Sequence, residues 1–125
     1  QDSGRVMNPL TFENQVLGGV TMGIGFALTE NRVMDRQTGK LASGSWHDYK
    51  IPTAMDFPTD FQFVAIDPHD KECNSVGAKG LGEPATIPAA AAIANAVCDA
   101  IGVRILDAPI TPASIVNALA SNGGR

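Results

Sequence analysis

The chain has 125 residues, 44% of them hydrophobic and 18% charged, with 9 Lys and Arg against 13 Asp and Glu for a net charge of −4. That length suits one ordinary domain and is short for two well-cored ones, and the apolar content excludes a disordered polymer. No basic tract is present to grip a phosphate backbone, and the longest apolar run, near residues 87–94, is far short of a membrane span and holds Pro88.

These features predict a soluble protein without nucleic-acid or membrane partners, placed in the cytoplasm with the periplasm as the alternative. Cys73 and Cys98 are too few for a disulfide framework and lack C-x-x-C spacing, so both read as free thiols. The chain opens at Gln1 without an apolar signal core and reads as a fragment or processed piece.

Asn8-Pro9-Leu10-Thr11 predicts a turn entering a helix, with Thr11 or Asn14 as the N-cap. Over residues 16–28, Val16, Leu17, Val20, Ile24 and Leu28 recur at three- and four-residue steps, interrupted by Gly18, Gly19, Gly23 and Gly25. At about 1 kcal/mol each, these glycines cost the helix on the order of 4 kcal/mol. Such a helix needs tertiary packing, and its bare surfaces are useful only where another backbone or a ligand comes close.

Residues 31–41, with Asp35 to Lys40 at the tip, predict a hairpin. Pro52 and Pro58 argue against a long helix over residues 45–63, and residues 61–66 read as a strand closed by Asp67-Pro68. A glycine-rich loop containing Gly77, Gly80 and Gly82 precedes a helix that begins at Pro84 or Pro88 and ends at Gly102. Ile93, Val97, Ala100 and Ile101 form its expected buried stripe. Thr111-Pro112 starts a last helix to about Leu119, and residues 121–125 read as a frayed tail. The expected class is α+β: a glycine-rich helix, short strands and an alanine-rich helix.

Several chemistries are excluded by inspection. Residues 23–28 lack the third glycine of a dinucleotide fingerprint, and residues 39–45 lack the lysine of a phosphate loop. His69 and Cys73 have no second ligand pair for zinc. No Gly-x-Ser-x-Gly elbow exists, and neither His47 nor His69 is tied to a serine. The remaining candidate is Lys79-Gly80-Leu81-Gly82-Glu83-Pro84, a carboxylate between a glycine loop and a helix start. Such a loop can turn backbone N–H groups toward an anion, with Glu83 as a base. A glutamate is also favoured there simply by the helix dipole.

Taken in order, Asp2-Ser3-Gly4-Arg5-Val6-Met7-Asn8-Pro9, Gln15-Val16-Leu17-Gly18-Gly19, Met22-Gly23-Ile24-Gly25, Tyr49-Lys50-Ile51-Pro52, Phe57-Pro58-Thr59 and Gly80-Leu81-Gly82-Glu83-Pro84 make a connected pattern, followed by the alanine-rich helix through Gly102. It resembles the C-terminal part of the molybdopterin-binding large subunit of the xanthine dehydrogenase and aldehyde oxidase family over residues 2–119. The spacing of 68 residues from Gln15 to Glu83 is part of the match.

The resemblance implies that residues 1–125 are a single unit, a C-terminal fragment of a larger molybdenum-binding domain. It implies a molybdenum hydroxylase acting on an aldehyde or N-heteroaromatic C–H with water as the oxygen source. Glu83 falls on the family's catalytic glutamate, the general base toward a hydroxyl on molybdenum. Gln15 falls on a glutamine whose amide contacts the pterin, and Gly80 and Gly82 let the chain pass close to the metal centre. The implied cofactor is molybdopterin, with or without a cytosine dinucleotide. Implied partners are the rest of the large subunit and iron–sulfur and FAD domains or subunits.

Met22 stands where some relatives have a second glutamine, and Lys79 receives no role beyond a solvated or structural one. The fragment alone is expected to be inactive, marginally stable and prone to self-association through exposed seams. The competing reading is a noncatalytic scaffold of the same fold without cofactor.

Overall fold

The computed structural model describes residues 2–66 and 68–122. Three helices organise it: α1 (Pro9–Leu28), α2 (Thr86–Ile101) and α3 (Pro112–Asn122). α1 begins earlier than the apolar period suggests, and its cap is neither Thr11 nor Asn14. Asn8 stands in extended conformation and its Oδ1 accepts from the N–H groups of Leu10 and Thr11 at 3.0 and 3.2 Å, while Pro9 occupies the first turn. A side-chain oxygen there satisfies donors that have no helical partner, and proline loses nothing at that position.

The glycines of α1 meet α2 almost backbone to backbone. A Cβ on Gly19 would stand 2.7 Å from the Ala85 Cβ and 3.1 Å from the Thr86 nitrogen, and one on Gly23 would collide with the Ala89 Cβ. Small residues at 19 and 23 thus meet small residues at 85 and 89, a close crossing that repays part of the helix-propensity cost. Past α2, Gly102 adopts φ +70° and its N–H donates to the Cys98 carbonyl, the helix end expected from sequence. The chain then returns to α1, where the Ile110 N–H donates to the Ala27 carbonyl at 2.6 Å. Ala27 and Ile110 are only 2% and 5% exposed.

The Tyr49–Pro52 block is fastened to the end of α1. The Tyr49 hydroxyl donates to Glu30 Oε2 at 2.7 Å, and Pro52 packs against Gly25. The bond to Glu30, then burial, raises the Tyr49 pKa above its ordinary value. Nearby, Asp56 accepts from Lys50 Nζ, the Thr53 N–H and the Thr53 hydroxyl at 2.8 to 2.9 Å. Its pKa is lowered to about 2, chiefly by Lys50.

Four further expectations need correction. The strand at residues 61–66 does not form: Phe63 stacks against Phe12 at 6.0 Å and Phe61 against Phe57 at 5.2 Å, while Val64 and Ile66 remain exposed. An alternating pattern needs a neighbouring strand, and none is provided by the described residues. The hairpin shrinks to one bridge between Met34 and Leu41 about a turn with Gly39 at φ +70°. Of the expected stripe on α2, Ile93, Val97 and Ile101 are half-buried and Ala100 is exposed, leaving Ala89 as its buried residue. α3 continues through Ser121 and Asn122 instead of fraying, and residues 123–125 lie outside the described residues, as does Asp67. The helical half of the α+β class is therefore present, and its strand half is reduced, among the described residues, to two isolated bridges.

The hydrophobic core is thin. Its buried apolar residues are Ile24, Ala27, Ala89 and Ile110, whereas Leu10, Trp46, Met55, Ile87 and Leu106 are exposed. The accessible surface is 8995 Å², against roughly 6,300 Å² for a compact monomer of this mass. Apolar surface on that scale calls for cover that these residues do not supply to one another. No described helix is long and apolar enough to cross a membrane.

Candidate functional site

The site is built where the N-terminal segment crosses the glycine loop. Gly4 and Ala78 form an antiparallel bridge, the Arg5 N–H donates to the Gly77 carbonyl at 2.7 Å, and the Lys79 N–H donates to the Ser3 carbonyl at 2.8 Å. The two backbones approach so closely that a Cβ on Gly4, itself at φ +59°, would strike the Gly77 oxygen. Only glycine combines that φ with that approach. Asn74 shapes the loop from inside: its Oδ1 accepts from the Val76 and Gly77 N–H groups at 3.1 and 2.8 Å, and its Nδ2 donates to the Ala78 carbonyl at 2.7 Å.

Lys79 Nζ reaches Asp2 Oδ2 at 2.6 Å and Asp70 Oδ2 at 2.7 Å. The bonds to Asp2 and then Asp70 raise the lysine pKa, and the bond from Lys79 is the main cause holding each carboxylate below its ordinary range. Sequence reasoning gave Lys79 no role. Its partners lie 77 and 9 residues away, so no local pattern announces them.

Beyond Lys79 the chain passes Gly80 and Gly82, where an added Cβ would meet nothing within 4 Å. The Gln15 side-chain amide, on the first half of α1, donates to the Leu81 carbonyl at 3.4 Å. Glu83 then stands on the bend into α2, with its carbonyl accepting from the Thr86 N–H at 2.8 Å. Its carboxylate is exposed and makes no hydrogen bond or ion pair with any described residue. The structure thus brings Gln15, Gly80, Gly82 and Glu83 to one loop, though Gln15 and Glu83 line different hollows.

Gln15 borders a hollow of about 150 Å³ with Ser3, Arg5, Lys79 and Leu81. Ser3 is 4% exposed and its hydroxyl has no partner among the described residues. Glu83 borders an open cleft of about 660 Å³ with Met22, Phe26, Pro84, Thr86, Ile87 and Ala90. The buried Thr86 hydroxyl is likewise unpartnered. The Glu83 cleft thus pairs a carboxylate and the Thr86 hydroxyl, neither with a partner among the described residues, with an apolar lining, while the Ser3 hydroxyl stands in the separate hollow beside Gln15; each offers polar groups to a ligand. Met22, Phe26 and Ile87 were not read as site residues, because apolar residues at helical spacing look like core. No group of three His, Cys, Asp or Glu side chains converges as a metal site among the described residues.

Residues 1–58 match the model of the molybdopterin cofactor-binding domain, a span that includes Gln15 but not Glu83. The chain is 46% identical over 112 residues to the putative xanthine dehydrogenase molybdenum-binding subunit of Escherichia coli (strain K12), covering 89% of this chain and 14% of that protein. It is 38% identical over 109 residues to the aldehyde oxidoreductase molybdenum-binding subunit of the same organism, covering 87% of this chain and 15% of the relative. Quinoline 2-oxidoreductase from Pseudomonas putida 86 superposes with a TM-score of 0.82 at 34% identity, over 95% of this chain and 15% of that one. The chain spans about a seventh of the length of the relatives it matches.

Proposed function

Because this chain belongs to the molybdenum-binding subunits of the xanthine dehydrogenase and aldehyde oxidase family, we propose that it is the C-terminal segment that contributes the catalytic carboxylate and part of the pterin cradle of a molybdenum hydroxylase. The observation that carries this reading is the Glu83 carboxylate: its residue is held by backbone to the start of α2, yet its oxygens have no partner among the described residues and it borders an open, largely apolar cleft. A carboxylate spent on a salt bridge would be a poor proton acceptor, and this one is unspent.

The residues present fit the cofactor. The Gln15 amide both donates and accepts, as a pterin edge demands, and the open faces of Gly80 and Gly82 leave room for close approach of a bulky group. When bound, the molybdenum–pterin group supplies the redox centre that accepts an electron pair from the substrate carbon, water being the source of oxygen. Glu83 takes the proton at a carboxylate oxygen as the water-derived oxygen becomes nucleophilic, and its place at the start of α2, where its carbonyl accepts from Thr86, lowers the cost of orienting it. Met22, Phe26 and Ile87 keep the neighbourhood of that oxygen apolar, which strengthens its interaction with a developing charge.

The substrate class is an aldehyde or an electron-poor N-heteroaromatic ring. Electrons would leave through iron–sulfur clusters and FAD on partner domains or subunits. The test is Glu83→Gln in the complete enzyme. Turnover should fall at least 10²-fold while molybdenum content stays at the wild-type level. Unchanged turnover would refute the base assignment, and absence of molybdenum from the wild-type assembly would favour a noncatalytic scaffold.

A further inference from the structure

Lys79 stands where three stretches of chain meet, immediately before the loop that ends in Glu83. Its backbone N–H is bonded to Ser3 and its ammonium to Asp2 and Asp70. Side chain and main chain therefore fasten one residue to the same crossing. The three charged side chains are 29% to 60% exposed, so pairs of this kind add little to global stability. What they supply is geometry. One ammonium between two carboxylates from different segments fixes the separation of those segments and the position of residue 79 with them.

Downstream, at the far end of the loop, Thr86 is bonded to the Glu83 carbonyl at 2.8 Å and α2 begins. Between these anchors lie Gly80 and Gly82, whose Cα atoms have open space around them. Such residues have no side chain with which to hold a conformation. Within this stretch the Gln15 amide donates to the Leu81 carbonyl at a long 3.4 Å. The place of the carboxylate therefore depends in part on where the loop starts.

We infer that Lys79 is a positioning residue: by bridging Asp2 and Asp70 it sets the origin of the Gly80–Gly82 loop and so the station of Glu83. The kinetic part of this inference rests on the catalytic reading above; the structural part does not. Two variants of the complete enzyme break the bridge from opposite sides, Lys79→Met and the double change Asp2→Asn with Asp70→Asn. Both should accelerate amide hydrogen exchange across residues 80–86 by about tenfold or more, with α1 and the far half of α2 unaffected. Turnover number should fall by about 10- to 10²-fold while KM moves less than about threefold.

If Lys79→Met does not fold, Asp70→Asn alone removes one arm of the bridge and should give the same local acceleration at about threefold or more. Unchanged exchange over residues 80–86 overturns the inference, as does acceleration spread evenly through α1 and α2, which would mark a general structural role. Local acceleration together with full turnover in Glu83→Gln would leave the bridge standing and remove the base. The reverse pattern would remove the bridge alone.

Discussion

The same residue type serves two regions in opposite ways. At the α1–α2 crossing, Gly19 and Gly23 are glycine because Ala85, Thr86 and Ala89 occupy the space a side chain would need. In the Glu83 loop, Gly80 and Gly82 have neither a positive φ nor any neighbour within reach of a Cβ. The first pair is explained by this chain's own packing. The second is not, and a bare backbone on an open loop beside an unspent carboxylate makes sense as clearance for something that is not polypeptide of this segment.

That contrast can be broken experimentally. The largest effect should come from Gly82→Val in the complete subunit. If the open face is clearance for the cofactor, overpacking of about 1–3 kcal/mol lowers cofactor affinity about 5- to 150-fold, seen as lost molybdenum on purification. Amide exchange in α1 and α2 should stay unchanged, and full molybdenum occupancy would sink the clearance argument. Gly23→Val should act the other way round, lowering the free energy of local opening of α1 and α2 by about 1–3 kcal/mol, read by hydrogen exchange. The smallest change is Gly18→Ala, on the exposed side of α1 where a Cβ meets nothing. It should stabilise α1 in this chain by roughly 0.5–1 kcal/mol, measured by far-ultraviolet dichroism on heating; a lower melting temperature would show that the face is not open.

How much of this was legible in the sequence depended on how local the cause is. Gly102 after an alanine-rich run and Thr111-Pro112 before α3 announce helix ends because caps and φ preferences act over a few residues. Asn8 was missed as a cap although Asn-Pro ahead of a helix carries the signal, because the apolar period at Val16 drew attention to a later start. The supposed strand at residues 61–66 failed for a different reason: alternation records a face that wants cover, and Phe63 finds it on Phe12 rather than in a ladder.

In the site, the glycine–glutamate run stood out locally. The Asp2–Lys79–Asp70 bridge did not, since its partners are brought together only by the crossing at Gly4 and Gly77. Likewise Met22 and Phe26 were given no place in a site, and both border the cleft.

α1 meets the Glu83 loop and its bend at two stations on one flank. Gln15 touches Leu81 and, one turn on, Gly19 abuts Ala85 and Thr86, positions four apart that share a helix face. The helix therefore works as a ruler laid against the bend. Any roll about its axis, of about 100° for a single inserted or deleted residue, would lift one station off and drag the bend that carries Glu83 with the other, so the seat of that bend depends on register along α1.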